Sequence, residues 1–223
     1  MGQTWERLLF AHWRVPEDRL RRVVPEELAL DVKDGACWVG VTPFVVTALH
    51  PRGLPPPPAG SRFAELNART YVTVDGRPGI WFLGMDASSR LAVAAARRAY
   101  RLPYFPARMS VRTTGAGEVA YRSVRRDGPP ARFAARYGPT GPPTAARPGT
   151  LEHFLTERYC LYTLDARRRV HRTDIHHPPW PLQPARAKIV ENTIGRPLGL
   201  ELAGEPLLHY AARQDVVIWR EVT

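Results

Sequence analysis

The sequence predicts an α+β fold that is mainly antiparallel β, with a few helices at its periphery. Short apolar or alternating runs are separated by Asp-Gly and Pro-rich turns, and they show neither a strand-helix-strand rhythm nor an internal repeat. With 223 residues, 44% of them hydrophobic, the chain can bury one large core. We therefore expect a single domain that covers residues 1–223.

The first elements are a short helix and a strand pair. Pro16 suits the first position of a helix, and apolar residues follow it at helical spacing until Pro25 ends the run. Apolar runs within residues 28–44 then flank Asp34-Gly35, a dipeptide that favours a tight hairpin turn. An antiparallel pair of strands is expected around this turn.

The later elements follow from turn residues, caps and alternation. Four consecutive prolines exclude a central strand, and Asp86, Ser88 and Ser89 offer N-cap oxygens to an alanine-rich helix. In order, we expect a surface loop at 51–60, hairpin strands at 63–74 and 80–85, a helix to about Tyr100, hairpin strands within 107–126, a loop at 137–149, a short helix at 151–158, hairpin strands at 160–164 and 170–175, and a last strand at 215–219.

The strand at residues 63–72 has two different faces. Alternation places small or apolar side chains on one face, and on the other it places Phe63, Glu65, Asn67, Arg69 and Tyr71. The run at 80–85 is almost entirely apolar, which is typical of a strand buried on both sides. A polar-faced strand beside a fully buried one indicates an enclosed polar cavity. The alternative is a polar face wetted by bulk water.

The net charge of +11 raises the question of a nucleic-acid partner. All 32 basic residues except Lys33 and Lys188 are arginines, and they are dispersed along the chain without a recognisable nucleic-acid-binding motif. We therefore expect solvated or ion-paired arginines and no specific nucleic-acid partner. A basic nucleic-acid binder is the least favoured hypothesis for the function.

The sequence also bears on location and redox state. It contains no apolar run of the ~18 residues that a membrane helix needs, and its N-terminus lacks the apolar segment of a secretion signal. We expect a cytoplasmic protein with no membrane partner. Cys37 and Cys160 lack the spacing of a zinc site or a redox pair, so buried free thiols are expected, although a disulfide between them is an alternative.

Several chemistries have no motif in this chain. Glycine-rich nucleotide-binding loops, a serine nucleophile turn and a zinc-protease HExxH string are missing, so we expect no cofactor and no metal. The candidate functional residues are Glu65, Asn67, Arg69, Tyr71, Tyr104 and the segment from His176 to Trp180.

Spacing limits what these candidates can do together. Glu65 and Arg69 share a strand face but lie about 13 Å apart along it, at roughly 3.3 Å per residue, so they are too far apart to pair directly. The adjacent His176 and His177 point to opposite sides of an extended segment and form a poor pair of metal ligands. Either one histidine reaches the cavity, or the segment is a structural turn in which Trp180 packs.

Seven segments taken together resemble a known family. They are WRVP at 13–16, DGACWVGVTPF at 34–44, ELNARTYV at 65–72, GIWFLGMDA at 79–87, ARRAYRLPYF at 96–105, FLTERYCLY at 154–162 and HHPPWPLQ at 176–183. In this order they resemble the YqjF-like bacterial domain of unknown function, a distant branch of the acetoacetate decarboxylase-like superfamily. The resemblance implies a mainly antiparallel β cone or barrel around a central cavity, and it makes a homo-oligomer plausible.

The resemblance also implies that the catalytic lysine of the decarboxylases is missing. In those enzymes a lysine that follows a Gly-aromatic-Pro sequence forms a Schiff base with the keto substrate, and that position resembles Tyr104 here. Phe105 occupies the next lysine position. A Schiff base requires a primary amine, so Schiff-base decarboxylation is not expected. The acidic residue of the family is similar to Glu65 in its Phe63-Ala64-Glu65 context.

Two hypotheses for the function stay open from the sequence. The first is an enzyme that performs acid/base chemistry, such as enolisation, dehydration or cyclisation, on a small carbonyl or carboxylate compound. Glu65 would be the base, Tyr104 a hydrogen-bond donor or acid, and Arg69 a clamp for a carboxylate or an enolate. The remaining substrate contacts would come from Asn67, Tyr71, Arg97, His176, His177 and Trp180. The second hypothesis is a non-catalytic small-ligand-binding protein that has kept the cavity.

Overall fold

Twelve strands and a few short helices make up the computed structural model, which describes residues 1–51, 53, 62–115 and 117–222. The strands are β1 (Gly2–Val15), β2 (Ala29–Leu30), β3 (Cys37–His50), β4 (Phe63–Val74), β5 (Arg77–Ala87), β6 (Tyr104–Thr113), β7 (Val119–Arg125), β8 (Arg132–Pro139), β9 (Cys160–Leu164), β10 (Val170–His176), β11 (Gln183–Asn192) and β12 (Leu207–Val222). The helices are α1 (Glu17–Arg21), α2 (Arg90–Tyr100), α3 (Leu151–Thr156) and a 3₁₀ turn at Arg196–Leu198.

The strands form one sheet that closes on itself. Its order is β10-β9-β5-β6-β7-β8-β11-β12-β1-β3-β4-β2, and the additional pairings of β5 with β4 and of β10 with β12 close a ring through β4, β3, β1, β12, β10, β9 and β5. The other four long strands, β6, β7, β8 and β11, form an antiparallel layer between β5 and β12. The prediction of a mainly antiparallel fold with few helices is confirmed.

Strand β4 is buried on both faces because it separates two apolar clusters. Its small side chains, Ala64, Leu66 and Ala68, pack in a cluster with residues of β1, β7 and β8. Phe63, on the opposite face, belongs to a second cluster that includes Phe44 and residues of the segment after β10. The predicted separation of the two faces is thus confirmed, and the interior of the ring lies on the polar side of β4.

The early hairpin prediction was correct for the turn and wrong for the strand pairing. Asp34 and Gly35 both have positive φ angles, 53° and 71°, as a tight turn between Lys33 and Ala36 requires. However, β2 does not pair with β3. Both strands pair with the same edge of β4, one after the other, so the turn lies in an excursion between them.

Several other predicted elements are confirmed. Strands β4 and β5 pair as an antiparallel hairpin, β9 pairs with β10, and β6 pairs with β7. Ser89 caps α2 by accepting the Ala92 N–H, and α3 begins at Leu151. The loop expected at 51–60 falls mainly on residues 52 and 54–61, which lie outside the described residues. Cys37 and Cys160 are free thiols and both are buried.

The sequence prediction missed three long strands and one parallel connection. Strands β1, β8 and β11 were not expected, and β8 runs to Pro139, into the loop predicted at 137–149. Strand β12 was expected only as a short strand at 215–219 and is 16 residues long. The expectation that no strand-helix-strand unit occurs was wrong, because α2 connects β5 to β6 and the two strands pair in parallel at Met85 and Tyr104.

Candidate functional site

The polar residues of β4 are buried. Glu65, Asn67 and Arg69 are 5%, 5% and 6% exposed, although each has a polar or charged side chain. The structure therefore contradicts the alternative in which bulk water wets this face. A charged group that is buried in this way needs a partner or a ligand, because removing it from water is costly.

Tyr104 meets Glu65 through the parallel connection between β5 and β6. The backbone N–H of Met85 donates to the Pro103 carbonyl at 2.9 Å, and Met85 is in register with Tyr104. From this position the Tyr104 hydroxyl donates to Glu65 Oε1 at 3.0 Å. The structure therefore brings together two of the three predicted catalytic residues.

The burial of Glu65 and Tyr104 and the contact between them shift the pKa values of both side chains. Burial raises the pKa of Glu65 to about 7, while hydrogen bonds from Tyr104 and Asn67 act in the opposite direction. Burial and the neighbouring Glu65 charge raise the pKa of Tyr104 well above its usual value. Near neutral pH, Glu65 can thus hold or release a proton, whereas Tyr104 stays protonated and acts as a hydrogen-bond donor.

Arg69 is the third predicted catalytic residue, and its charge is not neutralised by a neighbouring acid. Its Nη2 donates to the Leu155 carbonyl at 3.1 Å, and its guanidinium lies 5.3 Å from the centre of the Phe10 ring. Among the described residues, no carboxylate lies within 4.0 Å of it. Arg158, also buried, differs in this respect because it pairs with Asp31 at 2.6 Å.

A small cavity lies beside Arg69 inside the ring of strands. It has a volume of about 20 Å³, which is room for about one water molecule. Its lining includes Asn67, Arg69, His177 and Trp180 from the predicted set, whereas Glu65 and Tyr104 are not among its lining residues. Admission of a larger ligand therefore requires lining side chains to move.

Four polar atoms of this lining have no hydrogen-bond partner within the part of the chain that the structure describes. Three are N–H donors, namely Arg69 Nε and the indole nitrogens of Trp5 and Trp180, and the fourth is the acceptor Asn67 Oδ1. Buried polar groups are almost always paired in folded proteins. An excess of unpaired donors beside a guanidinium is an arrangement that suits an anionic ligand.

The other predicted contact residues have different places. His177 and Trp180 line the cavity, while the neighbouring His176 is exposed, as the alternation predicts. Tyr71 is fully buried, and its hydroxyl lies 2.7 Å from His12 Nε2 and donates to the Leu155 carbonyl at 2.8 Å. The structure therefore places Tyr71 in a buried hydrogen-bond chain beside Arg69 and not in the cavity lining.

Arg97 supports the site from outside. It is exposed on α2, its Nε donates to the Tyr104 carbonyl at 2.7 Å, and its guanidinium lies 5.8 Å from the Phe105 ring centre. Arg125 also contacts Phe105, because its guanidinium lies 4.0 Å from the same ring centre. The same guanidinium pairs with buried Asp86 at 2.7 Å. These contacts hold the backbone on which Tyr104 is placed.

Sequence reasoning missed most of the cavity lining, including Trp5, Thr42 and Arg158. Thr42 on β3 is the direct cross-strand neighbour of Asn67 on β4, and Trp5 lies on β1, which pairs with the other edge of β3. Arg158 was included in the FLTERYCLY segment that carries the resemblance, and this was the one available signal. The burial of Arg158 could not be predicted from the sequence, because it depends on an ion pair with Asp31, which lies 127 positions away.

The two lysines lie apart from the cavity. Lys188 is exposed on β11, and Lys33 donates to the Gly149 carbonyl at 2.8 Å in an exposed hydrogen bond. Within the described ranges, no group of three or more His, Cys, Asp or Glu side chains is arranged to hold a metal ion. In the same part of the chain, no helix is long and apolar enough to cross a membrane.

Comparison with known proteins gives one family and one fold. Residues 2–215 match the DUF2071 family, described as an uncharacterized conserved protein. The chain is 46% identical to the uncharacterized protein YqjF of Bacillus subtilis (strain 168) over 220 residues, which cover 98% of this chain and 90% of that protein.

Two solved structures illustrate the fold. One is the enduracididine biosynthesis enzyme MppR complexed with the condensation product of pyruvate and imidazole 4-carboxaldehyde, with a TM-score of 0.66, 13% identity, and coverage of 99% of this chain and 88% of that one. The other is an acetoacetate decarboxylase-like enzyme from Sphingomonas wittichii RW1, with a TM-score of 0.61, 15% identity, and coverage of 100% and 92%. At these identities the likeness shows a shared fold, which is the acetoacetate decarboxylase-like fold.

Proposed function

The chain belongs to the DUF2071 family and has the acetoacetate decarboxylase-like fold, and on this premise we propose that its cavity binds a small carboxylate or carbonyl compound. The structural neighbour MppR is complexed with a pyruvate condensation product, so small 2-oxo acids are the first ligands to consider. We further propose that Glu65 exchanges a proton with the bound compound, in an enolisation, dehydration or cyclisation.

One observation carries the binding part of the proposal. Unpaired N–H donors of Arg69, Trp5 and Trp180 line one cavity, and the Arg69 charge has no acid within 4.0 Å among the described residues. A carboxylate would accept hydrogen bonds from these donors and would neutralise the buried guanidinium. Asn67 Oδ1, the unpaired acceptor, suits a hydroxyl or another donor on the same ligand.

The catalytic part rests on Glu65 and Tyr104. A buried carboxyl group whose pKa is raised to about 7 matches the requirement for a general base or acid near neutral pH. Tyr104, which stays protonated, can donate a hydrogen bond to an oxygen on which negative charge develops. The proposal needs no primary amine, in agreement with the positions of Lys33 and Lys188, which are not among the lining residues of the cavity.

The small volume of the cavity favours a second candidate function. A cavity of about 20 Å³ that opens only when side chains move can hold a ligand without exposing it to reaction, as in a non-catalytic binding protein. Such a protein would use the same donors and would leave its ligand unchanged. A cytoplasmic location and a homo-oligomeric state stay predictions in both cases.

Ligand-observed NMR separates the two candidates. The protein is incubated with pyruvate, acetoacetate and a panel of hydroxy-enones, and both binding and chemical change are followed over time. Turnover that is lost in Glu65→Gln, while binding is kept, supports the enzyme. Saturable binding of an unchanged ligand supports the binding protein, and the absence of binding to any member of the panel argues against both.

A further inference from the structure

The ring of strands has a gap beside the cavity. One edge of β5 pairs continuously with β4, whereas its other edge pairs with β9 at Ile80 and Trp81 and with β6 only from Met85 onward. The intervening residues 82–84, about 10 Å of strand at roughly 3.3 Å per residue, have no strand partner on that edge. In addition, Leu83 is bulged relative to β4, because Ala68 pairs with Gly84 and Arg69 with Phe82.

A second pocket, which we call the side pocket, lies at this gap. It is lined by Val23, Trp81, Phe82, Leu83, Leu102 and Leu164 among others, and its volume is about 220 Å³, against about 20 Å³ for the cavity. An apolar cavity of about 150 Å³ is known to accept benzene in an engineered protein. The side pocket is therefore large enough for an alkyl chain of several carbons or for an aromatic ring.

The polar side chains of the side pocket are already in use. Arg101 pairs with Glu221 at 2.6 Å, and the Thr163 hydroxyl donates to the other oxygen of the same carboxylate at 2.8 Å. What remains available to a ligand is mainly aliphatic and aromatic surface. This chemistry suits an apolar substituent better than a second charged group.

Phe82 connects the side pocket to the cavity. It is a lining residue of both, and it is the direct cross-strand neighbour of Arg69. On the other side of the gap, Leu102 and Pro103 line the side pocket and immediately precede Tyr104. If the carboxylate of a ligand is held at Arg69, the rest of the ligand would therefore extend past Phe82 toward the side pocket. On this path it would pass the segment that leads to Tyr104.

We infer that the ligand of the cavity carries an apolar substituent, and that this substituent passes Phe82 through the gap between β6 and β9 and lies in the side pocket. This inference rests on the proposed function, because the carboxylate end of the ligand is held by Arg69. It narrows the ligand class to acids with an alkyl or aryl tail of about four to six carbons, because the side pocket is large enough to accept a group of the size of benzene.

Calorimetric titration with 2-oxo acids of increasing length tests the inference. Pyruvate, 2-oxobutanoate, 2-oxohexanoate and 2-oxooctanoate are compared, and the affinity is expected to rise about fourfold for each methylene until the side pocket is filled. Val23→Trp, which fills the side pocket from the outside, should keep the affinity for pyruvate and abolish the gain with length. Val190→Trp is the matched control, because Val190 is 72% exposed on β11.

The possible outcomes distinguish this inference from the proposed function. If pyruvate binds but affinity does not rise with length, or if the rise survives Val23→Trp, the side pocket is not a tail site and the proposed function still stands. If no acid of the series binds, the proposed function fails and the inference fails with it.

Phe82→Leu adds a kinetic test of the route past Phe82. A smaller side chain at the wall that the two pockets share should raise the association rate constant for 2-oxohexanoate at least threefold. An unchanged rate constant overturns this route.

Discussion

The Tyr104 hydroxyl donates to Glu65 Oε1 at 3.0 Å, although the two residues lie 39 positions apart in the sequence. The contact depends on the parallel pairing of β5 with β6, which brings Tyr104 beside Met85 and so within reach of β4. Because a hydrogen bond to a carboxylate favours its charged form, Tyr104 limits the rise in the pKa of Glu65 that burial causes. The pair therefore forms a unit whose titration can be measured.

Removal of the Tyr104 hydroxyl should raise the pKa of Glu65 further. In the wild-type protein the carboxyl carbon of Glu65 should titrate near pH 7 in ¹³C NMR, and in Tyr104→Phe its midpoint should lie higher, because a bond to the charged form is lost. Tyr162→Phe is the control, since the Tyr162 hydroxyl donates to the Arg77 carbonyl elsewhere. A titration midpoint near pH 4.5 in the wild-type protein would contradict the claim that burial raises the pKa of Glu65.

The raised pKa of Glu65 also predicts how stability depends on pH. Because folding raises this pKa from 4.5 to about 7, the stability that Glu65 contributes is present below pH 4.5 and is lost as the pH rises through 7. Compared with Glu65→Gln, the wild-type protein should lose about 2 to 3 kcal/mol of unfolding free energy between pH 5 and pH 8.

Urea unfolding of both proteins at several pH values measures this difference. His12, His177 and His209, whose pKa values are lowered by desolvation, are common to the two proteins, so their contributions cancel in the comparison. A difference that stays constant from pH 5 to pH 8 would show that Glu65 titrates at its ordinary value.

The two buried arginines should respond differently to substitution. Arg69→Met removes a charge without a neighbouring acid, so it should change the unfolding free energy by less than about 1 kcal/mol while it weakens pyruvate binding by about 10- to 100-fold. Asp31→Asn instead leaves the guanidinium of Arg158 buried without its partner and should cost about 3 to 5 kcal/mol. A large loss of stability in Arg69→Met with unchanged pyruvate binding would assign Arg69 a structural role.

No Schiff base is expected with a keto acid. When the protein is incubated with acetoacetate and borohydride, mass spectrometry should show no saturable adduct, because neither lysine is among the lining residues of the cavity. Lys188→Met gives the control for non-specific labelling of a surface amine. A stoichiometric adduct that disappears in Lys188→Met would overturn this expectation.

Local sequence signals were sufficient for β4 and insufficient for its surroundings. The alternation of β4 separated Ala64 and Leu66 from Glu65 and Asn67 correctly, because a strand has a period of two whatever packs against it. The hairpin of β4 and β5 and the cap of α2 also depend on adjacent residues, and both were predicted, the cap as one of Asp86, Ser88 and Ser89. The turn at Asp34-Gly35 shows the limit, since turn residues determine local geometry but not the strand with which a segment pairs.

The missed parts of the site depend on contacts that are distant in the sequence. Trp5 reaches the cavity because β1 pairs with β3 and β12, and the Arg158 charge is explained only by Asp31, 127 positions earlier. Strand β11 was missed because its inward side chains, such as Ala185 and Ala187, are small and its outward ones, such as Arg186 and Lys188, are charged. This pattern is a weak signal for a strand.

We propose that Glu65 moves a proton of a ligand held by Arg69, and deuterium exchange into pyruvate measures this proton transfer. The methyl protons of pyruvate are followed by ¹H NMR in deuterated buffer near pH 7, with wild-type protein, Glu65→Gln and Arg69→Met. We expect exchange above the buffer rate with the wild-type protein and its loss in both variants. Exchange that is equal in the wild-type protein and in Glu65→Gln would contradict a catalytic role for Glu65.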